Sequence, residues 1–234
     1  MATSEKKRYQ KYERFYLRSN KISAKLLRKY HHDCDKKFGP LLTGDFQRSV
    51  LDVGCATGML TGYLKNYGFA EVTGIDLNEK LIEQARENFD AEFIHSDALE
   101  LLQSGRQFDI IFMLNVLEHI ERDQLVEFIT AVCQALKPGG FAVARTPNMS
   151  NIMAAGHLAD DLTHCTGLTE QSLEQLALAA GFRDVSMLNQ FRMQNFKGRI
   201  KAVISWPLHK WLWWLRGGTK PRVIYRNLYA QLIK

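Results

Sequence analysis

Between residues 49 and 189, short apolar or β-branched runs alternate with stretches in which apolar residues recur every three or four positions. The first pattern is typical of buried strands, and the second of amphipathic helices. Strands are predicted at 49–53, 71–76, 91–94, 108–114, 141–145 and 185–188, and helices at 80–89, 124–136 and from 169 to just before 181. This alternation predicts an α/β fold with a doubly wound, mostly parallel sheet that binds ligands at the carboxyl ends of its strands.

The two ends of the chain depart from this pattern. Residues 1–38 contain no Gly or Pro and are rich in Lys, Arg and Tyr, which predicts a basic N-terminal helical cap. Residues 39–189 are then the core. Residues 190–234 form a basic, Trp-rich insertion followed by a last strand predicted over 222–233.

Charge is distributed unevenly between these three parts. Residues 1–38 carry 12 basic and 4 acidic side chains (+8), residues 39–189 carry 9 and 21 (−12), and residues 190–234 carry 10 and none (+10), which sums to +6. Two basic ends around an acidic middle predict contact with a polyanion, either an anionic membrane surface or nucleic acid. The alternative is that both ends are simply solvated.

Composition also excludes several classes of protein. The chain opens without an apolar signal segment, and no run reaches the roughly 18 uncharged apolar residues of a spanning helix. The four cysteines form no Cys-x-x-Cys pair, which argues against a zinc site or a disulfide framework. We therefore expect a cytoplasmic protein, with peripheral association at the inner face of the membrane as an accompanying hypothesis; the oligomeric state stays open.

Polar residues follow four successive predicted strands. Gly54 and Gly58 lie in the turn after the first strand, Asp76 ends the second, Asp97 follows the third and Asn115 follows the fourth. Glycines permit a tight turn that a ligand approaches closely, and an acid after the second strand is placed to bind ribose hydroxyls. A dehydrogenase is the competing interpretation, but its Gly-x-Gly-x-x-Gly motif is absent from this turn.

Residues 49–189 resemble the class I S-adenosylmethionine (SAM) dependent methyltransferases. The resemblance implies a Rossmann-like seven-stranded sheet with an antiparallel last strand, and SAM as the cofactor. It also implies roles for particular residues: the methionine part of SAM is lined by Asp52, Gly54, Cys55, Ala56, Thr57 and Gly58, the ribose is bound by Asp76, the adenine contacts Leu77, Asp97 and Ala98, and the sulfonium end faces Asn115. The sequence Lys137-Pro138-Gly139-Gly140 is similar to the family's turn before the fifth strand, while Ala56 stands where a glycine is common.

Two histidines are candidate catalytic residues. Methyl transfer is an in-line displacement, so the enzyme mainly aligns the acceptor and removes its proton. His119, just past the fourth strand, is the first candidate base, with a helix-capping role for Glu118 and His119 as the alternative. His164 is the second candidate, with an ordinary surface histidine as the alternative, and Tyr16 is a candidate to close over the cofactor.

The stretch from Asn115 to His119 is similar to the Glu-x-x-Glu-His motif with which quinone O-methyltransferases and small-RNA 2′-O-methyltransferases hold a divalent metal. Asn115 replaces the first Glu of that motif. Losing one anionic oxygen weakens a hard-cation site. We therefore predict no obligatory metal.

All four tryptophans fall within nine residues, at 206, 211, 213 and 214, among Leu, Lys and Arg. This composition is typical of a helix lying in a membrane interface. The alternatives are a helix packed on the protein itself or on a partner, or a base-stacking surface. The functional hypothesis is O-methylation of a small-molecule or membrane-associated acceptor, such as a lipid-linked saccharide of a surface glycan pathway. A prenylated quinone, an RNA acceptor bound by the basic ends, and a SAM-binding scaffold without catalysis are the alternatives.

Overall fold

The structure, a computed structural model, describes residues 22–151, 156, 160–188, 196–215, 223 and 225–234. Its helices are α1 (Ala24–Phe38), α2 (Met59–Tyr67), α3 (Glu79–Asn88), α4 (Ala98–Gln103), α5 (Leu125–Ala135), α6 (Glu170–Ala179) and α7 (Phe196–Leu215). Its strands are β1 (Ser49–Val53), β2 (Glu71–Asp76), β3 (Glu92–His95), β4 (Phe108–Leu114), β5 (Leu136–Pro147), β6 (Asp184–Met187) and β7 (Asn227–Ile233). Short 3₁₀ helices cover Gly39–Leu41 and Leu117–His119.

The seven strands form one sheet in the order β3-β2-β1-β4-β5-β7-β6. Strand β1 runs parallel to both β2 and β4, β2 runs parallel to β3, and β6 and β7 are antiparallel. The chain first places β2 and β3 on one side of β1 and then crosses to β4 on the other side. The point where the strand order reverses is the switch point at which doubly wound sheets bind ligands. The predicted fold class is therefore confirmed, including the aromatic insertion, which contributes α7 between β6 and β7.

The chain divides into two compact units, residues 1–113 with 134–142 and residues 114–133 with 143–234. In the first unit, apolar residues of the parallel strands are completely buried, as expected for strands covered on both faces. The group comprises Val50, Leu51, Ile110, Ile111 and Phe112. Helix α1 packs on this core through Phe38, whose ring meets that of Phe112 edge-on at 5.4 Å.

The second unit is organised by a buried asparagine. The side-chain amide of Asn148 donates to the carbonyl oxygens of Val223 and Tyr225, both at 2.9 Å. Glu170, buried at the start of α6, accepts from the backbone N–H of Val223 at 3.1 Å. These bonds satisfy buried backbone groups of the segment that enters β7.

The structure corrects the predicted start of the fifth strand. Helix α5 ends at Ala135, and β5 begins at once, so the strand includes residues 137–140, although Gly139 keeps a left-handed turn conformation with φ 76°. Lys137 pairs with Asp109 at 2.7 Å, and a Cβ on Gly140 would lie 2.7 Å from the carbonyl oxygen of Asp109. The Pro-Gly-Gly segment thus packs closely against β4. Only glycine at position 140 lets its backbone come this close to the backbone of Asp109.

Other boundaries differ from the prediction as well. The third and sixth strands are each displaced by one residue from the prediction, and β7 begins at Asn227 instead of 222. Helix α1 confirms part of the predicted N-terminal cap. The rest of that cap, including Tyr16, lies outside the described residues, and the predicted domain boundaries stay a prediction.

Candidate functional site

The turn between β1 and α2 is held in an unusual backbone conformation. Three of its residues have positive φ angles: Gly54 (68°), Ala56 (48°) and Gly58 (78°). The backbone N–H groups of Gly54 and Cys55 both donate to the carbonyl oxygen of Ile75, at 2.9 and 3.0 Å. The turn is therefore tight, as the glycines predicted, and it is folded against the end of β2.

Gly58 is required by packing as well as by its φ angle. A Cβ built there would lie 2.9 Å from ring atoms of Phe93 and 3.0 Å from the methyl of Ala85. Real Cβ atoms do not approach backbone-anchored neighbours so closely without displacing them. Gly58 thus lets α2 begin directly over β3.

Ala56 departs from the glycine that is common at its position, and the structure shows the cost. A left-handed conformation costs an L-residue with a Cβ about 1 kcal/mol or more. We expect Ala56→Gly to raise the free energy of unfolding by about 1 kcal/mol, measured by urea titration without cofactor. An equal or lower stability would show that the φ angle of Ala56 is unstrained.

Asp76 links β2 to the turn. One carboxylate oxygen accepts from the backbone N–H of Ala56 and the other from that of Asn78, both at 2.9 Å. Burial raises the pKa of Asp76, and these two hydrogen bonds counteract part of the rise. The carboxylate stands at the carboxyl end of β2, where the predicted ribose ligand would be bound.

Asp52 is the most deeply buried acid of the first unit's site. Its carboxylate accepts a hydrogen bond from the hydroxyl of Thr61 at 2.7 Å, a partner that no sequence pattern indicated. Burial raises the pKa of Asp52 to about 7, and the neighbouring charge of Asp76 acts in the same direction. A carboxyl with this pKa is only partly ionised at neutral pH.

This shift predicts a pH-dependent stability. An aspartate in the unfolded chain titrates near 3.9, so between roughly pH 4 and 7 the folded protein retains a proton on Asp52 that the unfolded chain has lost. Stability from this residue therefore falls as the pH rises through that window. Asp52→Asn, which stays neutral, should flatten the fall, measured by urea unfolding of both proteins at pH 5, 6, 7 and 8. Parallel pH profiles would contradict the assignment.

The residues assigned to adenine lie beyond β2 and β3. Leu77, which follows β2, is exposed, with a relative accessibility of 49%. Asp97 caps α4, its carboxylate accepting from the N–H of Leu99 at 2.7 Å, and Ala98 is the first residue of that helix. The capping bond gives Asp97 a structural role, and contact of these residues with adenine stays a prediction.

In the second unit, Asn115 follows β4 in a left-handed conformation, with φ 62°. Its backbone N–H donates to the carbonyl oxygen of Arg145 at 2.8 Å, and its side chain is exposed. Asparagine tolerates this conformation better than most residues. The geometry turns the chain sharply into the 3₁₀ helix that carries Glu118 and His119.

The two candidate catalytic histidines lie together. The ring centroids of His119 and His164 are 4.8 Å apart. The contact is fixed by the backbone, because the carbonyl oxygen of Glu118 accepts from the N–H groups of Cys165 and Thr166, at 2.9 and 3.1 Å. The sequence offered the histidines as alternatives; the structure makes them one cluster.

Hydrogen bonds set the tautomer of His119. The hydroxyl of Thr163 donates its proton to Asp161 at 2.7 Å. Its oxygen, 2.9 Å from Nδ1 of His119, can therefore only accept from that nitrogen. Nδ1 is thus protonated, and in the neutral ring the lone pair is on Nε2. Burial, followed by the neighbouring His164, lowers the pKa of His119, which favours this neutral form.

Asp161 is the anionic end of this arrangement. Burial acts to raise its pKa, but hydrogen bonds from Thr163 and the nearby His164 and His119 outweigh that effect and hold the pKa below its ordinary value. Asp161 accepts from the backbone N–H of Thr163 as well, at 2.9 Å. The residues thus form a carboxylate–hydroxyl–imidazole chain, of which Thr163 was not predicted.

Glu118 completes a group of potential metal ligands. Glu118, His119 and His164 each offer one ligating atom, and these atoms lie within 4.8 Å of one another. Glu118 is buried, one of its carboxylate oxygens makes no hydrogen bond, and burial raises its pKa to about 6. Two imidazoles and a carboxylate suit a transition-metal dication, so the residues fit such an ion.

Known proteins share both the sequence and the fold of this region. Residues 50–140 match a family described as a methyltransferase domain. A ubiquinone biosynthesis O-methyltransferase of Roseobacter denitrificans is 34% identical over 104 residues, which cover 42% of this chain and 41% of the relative. The protein of the same name from Idiomarina loihiensis is 35% identical over 139 residues, covering 49% and 51%. The chain thus spans between two fifths and half of the length of these curated relatives.

A solved SAM-dependent methyltransferase from Archaeoglobus fulgidus superposes with a TM-score of 0.67 at 21% identity, covering 89% of this chain and 94% of that one. At this identity the likeness establishes the fold. The family match covers β1 to the start of β5, the same strands that build the glycine turn and position Asp76. Residues 50–140 therefore match the methyltransferase domain family, on a fold that the chain shares with a solved SAM-dependent methyltransferase.

Proposed function

We propose that the protein transfers the methyl group of SAM to a hydroxyl oxygen of a lipid-attached acceptor. The observation that carries this proposal is the tautomer of His119, because its protonated Nδ1 leaves a basic nitrogen on the other side of the ring. Removing a proton from the acceptor is the one chemical task that methyl transfer to a hydroxyl adds to alignment.

In the proposed reaction, Nε2 of His119 takes the hydroxyl proton as the oxygen attacks the methyl carbon. The new O–CH₃ bond forms while the S⁺–CH₃ bond breaks, and S-adenosylhomocysteine leaves with the electron pair of that bond. The imidazolium that results is stabilised by the hydroxyl of Thr163 and the anion of Asp161. The positive charge that His119 acquires on taking the proton is therefore compensated by the negative charge of Asp161.

A phenolic hydroxyl on a prenylated ring is the acceptor class we favour. The named relatives act in ubiquinone biosynthesis, and the structure adds His164 to the Glu118–His119 pair that resembles the motif of quinone enzymes. A sugar hydroxyl of a lipid-linked saccharide is the second candidate. A sugar alcohol is a weaker acid than a phenol, so it gains more from a base oriented by Asp161 and Thr163. Both acceptors are anchored in a bilayer, so the proposal includes peripheral contact with the inner face of a membrane.

The cluster at Glu118, His119 and His164 also bears on metal use. A divalent cation held by these residues would supply positive charge that lowers the pKa of the acceptor hydroxyl. The prediction that no metal is obligatory is tested by assaying with a strong chelator. We expect the rate to survive; a rate that disappears and returns with Mn²⁺ or Zn²⁺ would assign the cluster to metal binding.

The acceptor is tested with methyl-labelled SAM and three substrates in parallel: a prenylated catechol, a lipid-linked saccharide fraction and total RNA. We expect label in the prenylated catechol and none when its hydroxyls are already methylated. Label in the saccharide fraction alone would select the second candidate. Label in RNA alone, with a rate that falls steeply with salt, would overturn the proposal.

A further inference from the structure

Helix α7 turns its apolar side chains towards solvent. At 100° per residue, eight of the residues between 200 and 215 fall within an arc of about 140°. They are Ile200, Val203, Ile204, Pro207, Leu208, Trp211, Trp214 and Leu215. All eight are exposed, and the relative accessibilities of Ile204 and Trp214 are 73% and 74%. We call this surface the apolar face of α7.

The opposite side of the helix is the more buried one, and it carries His209 between the half-buried side chains of Leu212 and Trp213. His209 is only 4% exposed. Its Nδ1–H donates to the carbonyl oxygen of Ser205 at 2.9 Å, and its Nε2 lies 3.4 Å from the side-chain amide of Asn151, which donates to it. A helix on an ordinary protein surface is oriented the other way. Among the described residues, His209 thus makes a polar contact on this side of α7, while the apolar face stays exposed.

Cations border the apolar face. Lys201 and Lys210 are exposed and stand just outside its two edges, and Lys210 places its Nζ 3.7 Å from the ring centre of Trp206. Helix α7 contains no Asp or Glu, and residues 190–234 carry ten basic side chains and no acidic one. Lysines at the edges of an apolar stripe can extend to anionic head groups while their stems stay in apolar surroundings.

The helix does not have the character of a membrane span. Within the part of the chain that the structure describes, no helix is long and apolar enough to cross a bilayer. We propose that α7 lies in the plane of an anionic membrane interface, with the apolar face among the acyl chains and its lysines on the head groups. Membrane binding would bring the enzyme to its lipid-attached acceptor, and in this respect the inference rests on the proposed function.

The apolar face is tested by flotation of the full chain with vesicles of phosphatidylcholine containing phosphatidylglycerol, without SAM or acceptor. We expect Trp211→Ser/Trp214→Ser to weaken partitioning at least about tenfold, because two large apolar groups are lost. The matched variant Trp211→Leu/Trp214→Leu keeps the apolar surface and should stay close to wild type. Because both tryptophans are exposed, wild type and the two variants should have the same thermal unfolding temperature.

The lysines are tested separately. Lys201→Gln/Lys210→Gln should weaken binding to the anionic vesicles by about fivefold for each lysine, and leave binding to pure phosphatidylcholine unchanged. Added salt should weaken the wild type towards the level of this variant.

Two results would overturn the inference. One is flotation of the Ser variant as strong as that of wild type. The other is a dimer in light scattering that becomes a monomer in the Ser variant, with flotation unchanged, because the apolar face would then be an interface between two copies. Failure of this inference can be distinguished from failure of the proposed function. If the protein methylates the catechol in detergent but does not float with vesicles, only this inference is overturned. If it floats with vesicles but labels only RNA, only the proposed function is overturned.

Discussion

His119→Gln is expected to lower kcat by about 10²–10⁴-fold while leaving the affinity for SAM unchanged. Glutamine retains a donor that can reach Thr163 but has no basic nitrogen, so alignment persists and proton removal is lost. Rates and SAM affinity are measured on the same preparations, the latter by calorimetry. The matched control is His32→Gln, an exposed histidine of α1, which should behave as wild type.

Substitution of Thr163 tests whether His119 is held in orientation as a base or is only close to the acceptor. Thr163→Val keeps the shape of the side chain but removes the oxygen that accepts from Nδ1 of His119, so kcat should fall at least about tenfold; Thr163→Ser should restore it. In wild type the acid limb of the pH–rate profile should lie below 6.5, since the pKa of His119 is lowered and the base must be neutral. If Thr163→Val keeps both the rate and the acid limb, His119 is not oriented in this way.

The glycine turn and Asp76 of the first unit were predictable because strand ends in a parallel sheet share an edge. Local geometry requires each of these residues: a positive φ angle for Gly54 and Gly58, and a position at the end of a strand for Asp76. Such requirements can be recognised in the sequence. Thr61, which donates to Asp52, left none, because threonine at that place in a helix has many possible roles.

The histidine cluster of the second unit could be predicted only in part. His119 and His164 were recognisable as residues, but their contact depends on backbone bonds from Cys165 and Thr166 to Glu118. Backbone bonds between distant loops carry no side-chain signature, so the sequence could not choose between one histidine and a pair. Thr163 was missed for the same reason, since its role exists only once the loops have met.

Helix α7 shows a third kind of limit. The tryptophan cluster was evident from composition, yet composition alone cannot say which side of a helix is covered. The structure shows that the side carrying His209, which contacts Asn151, is the buried one, and that the apolar face is exposed. The sequence thus indicated a helix rich in Trp and Leu, and the structure shows which of its sides is exposed; contact of that side with a membrane stays a prediction.

Asp76→Ala is expected to weaken SAM binding at least about 100-fold. If Asp76 binds both ribose hydroxyls, the variant loses two charge-assisted hydrogen bonds, each worth about 1.5–3 kcal/mol. Asp76→Asn keeps one acceptor oxygen and should lose about tenfold. The measurement is calorimetric titration with SAM and S-adenosylhomocysteine, and the matched control is Asp90→Ala, which removes an exposed acid from the same unit.

Because Asp76 also holds the backbone of Ala56 and Asn78, a loss of affinity alone would not prove contact with ribose. Analogues of S-adenosylhomocysteine that lack one ribose hydroxyl separate the two effects. Wild type should bind them about tenfold or more weakly than the parent compound, whereas Asp76→Ala should bind parent and analogue alike, since the partner of the missing hydroxyl is already gone. If Asp76→Ala keeps full SAM affinity, or still discriminates against the deoxy analogue, then Asp76 does not bind the ribose.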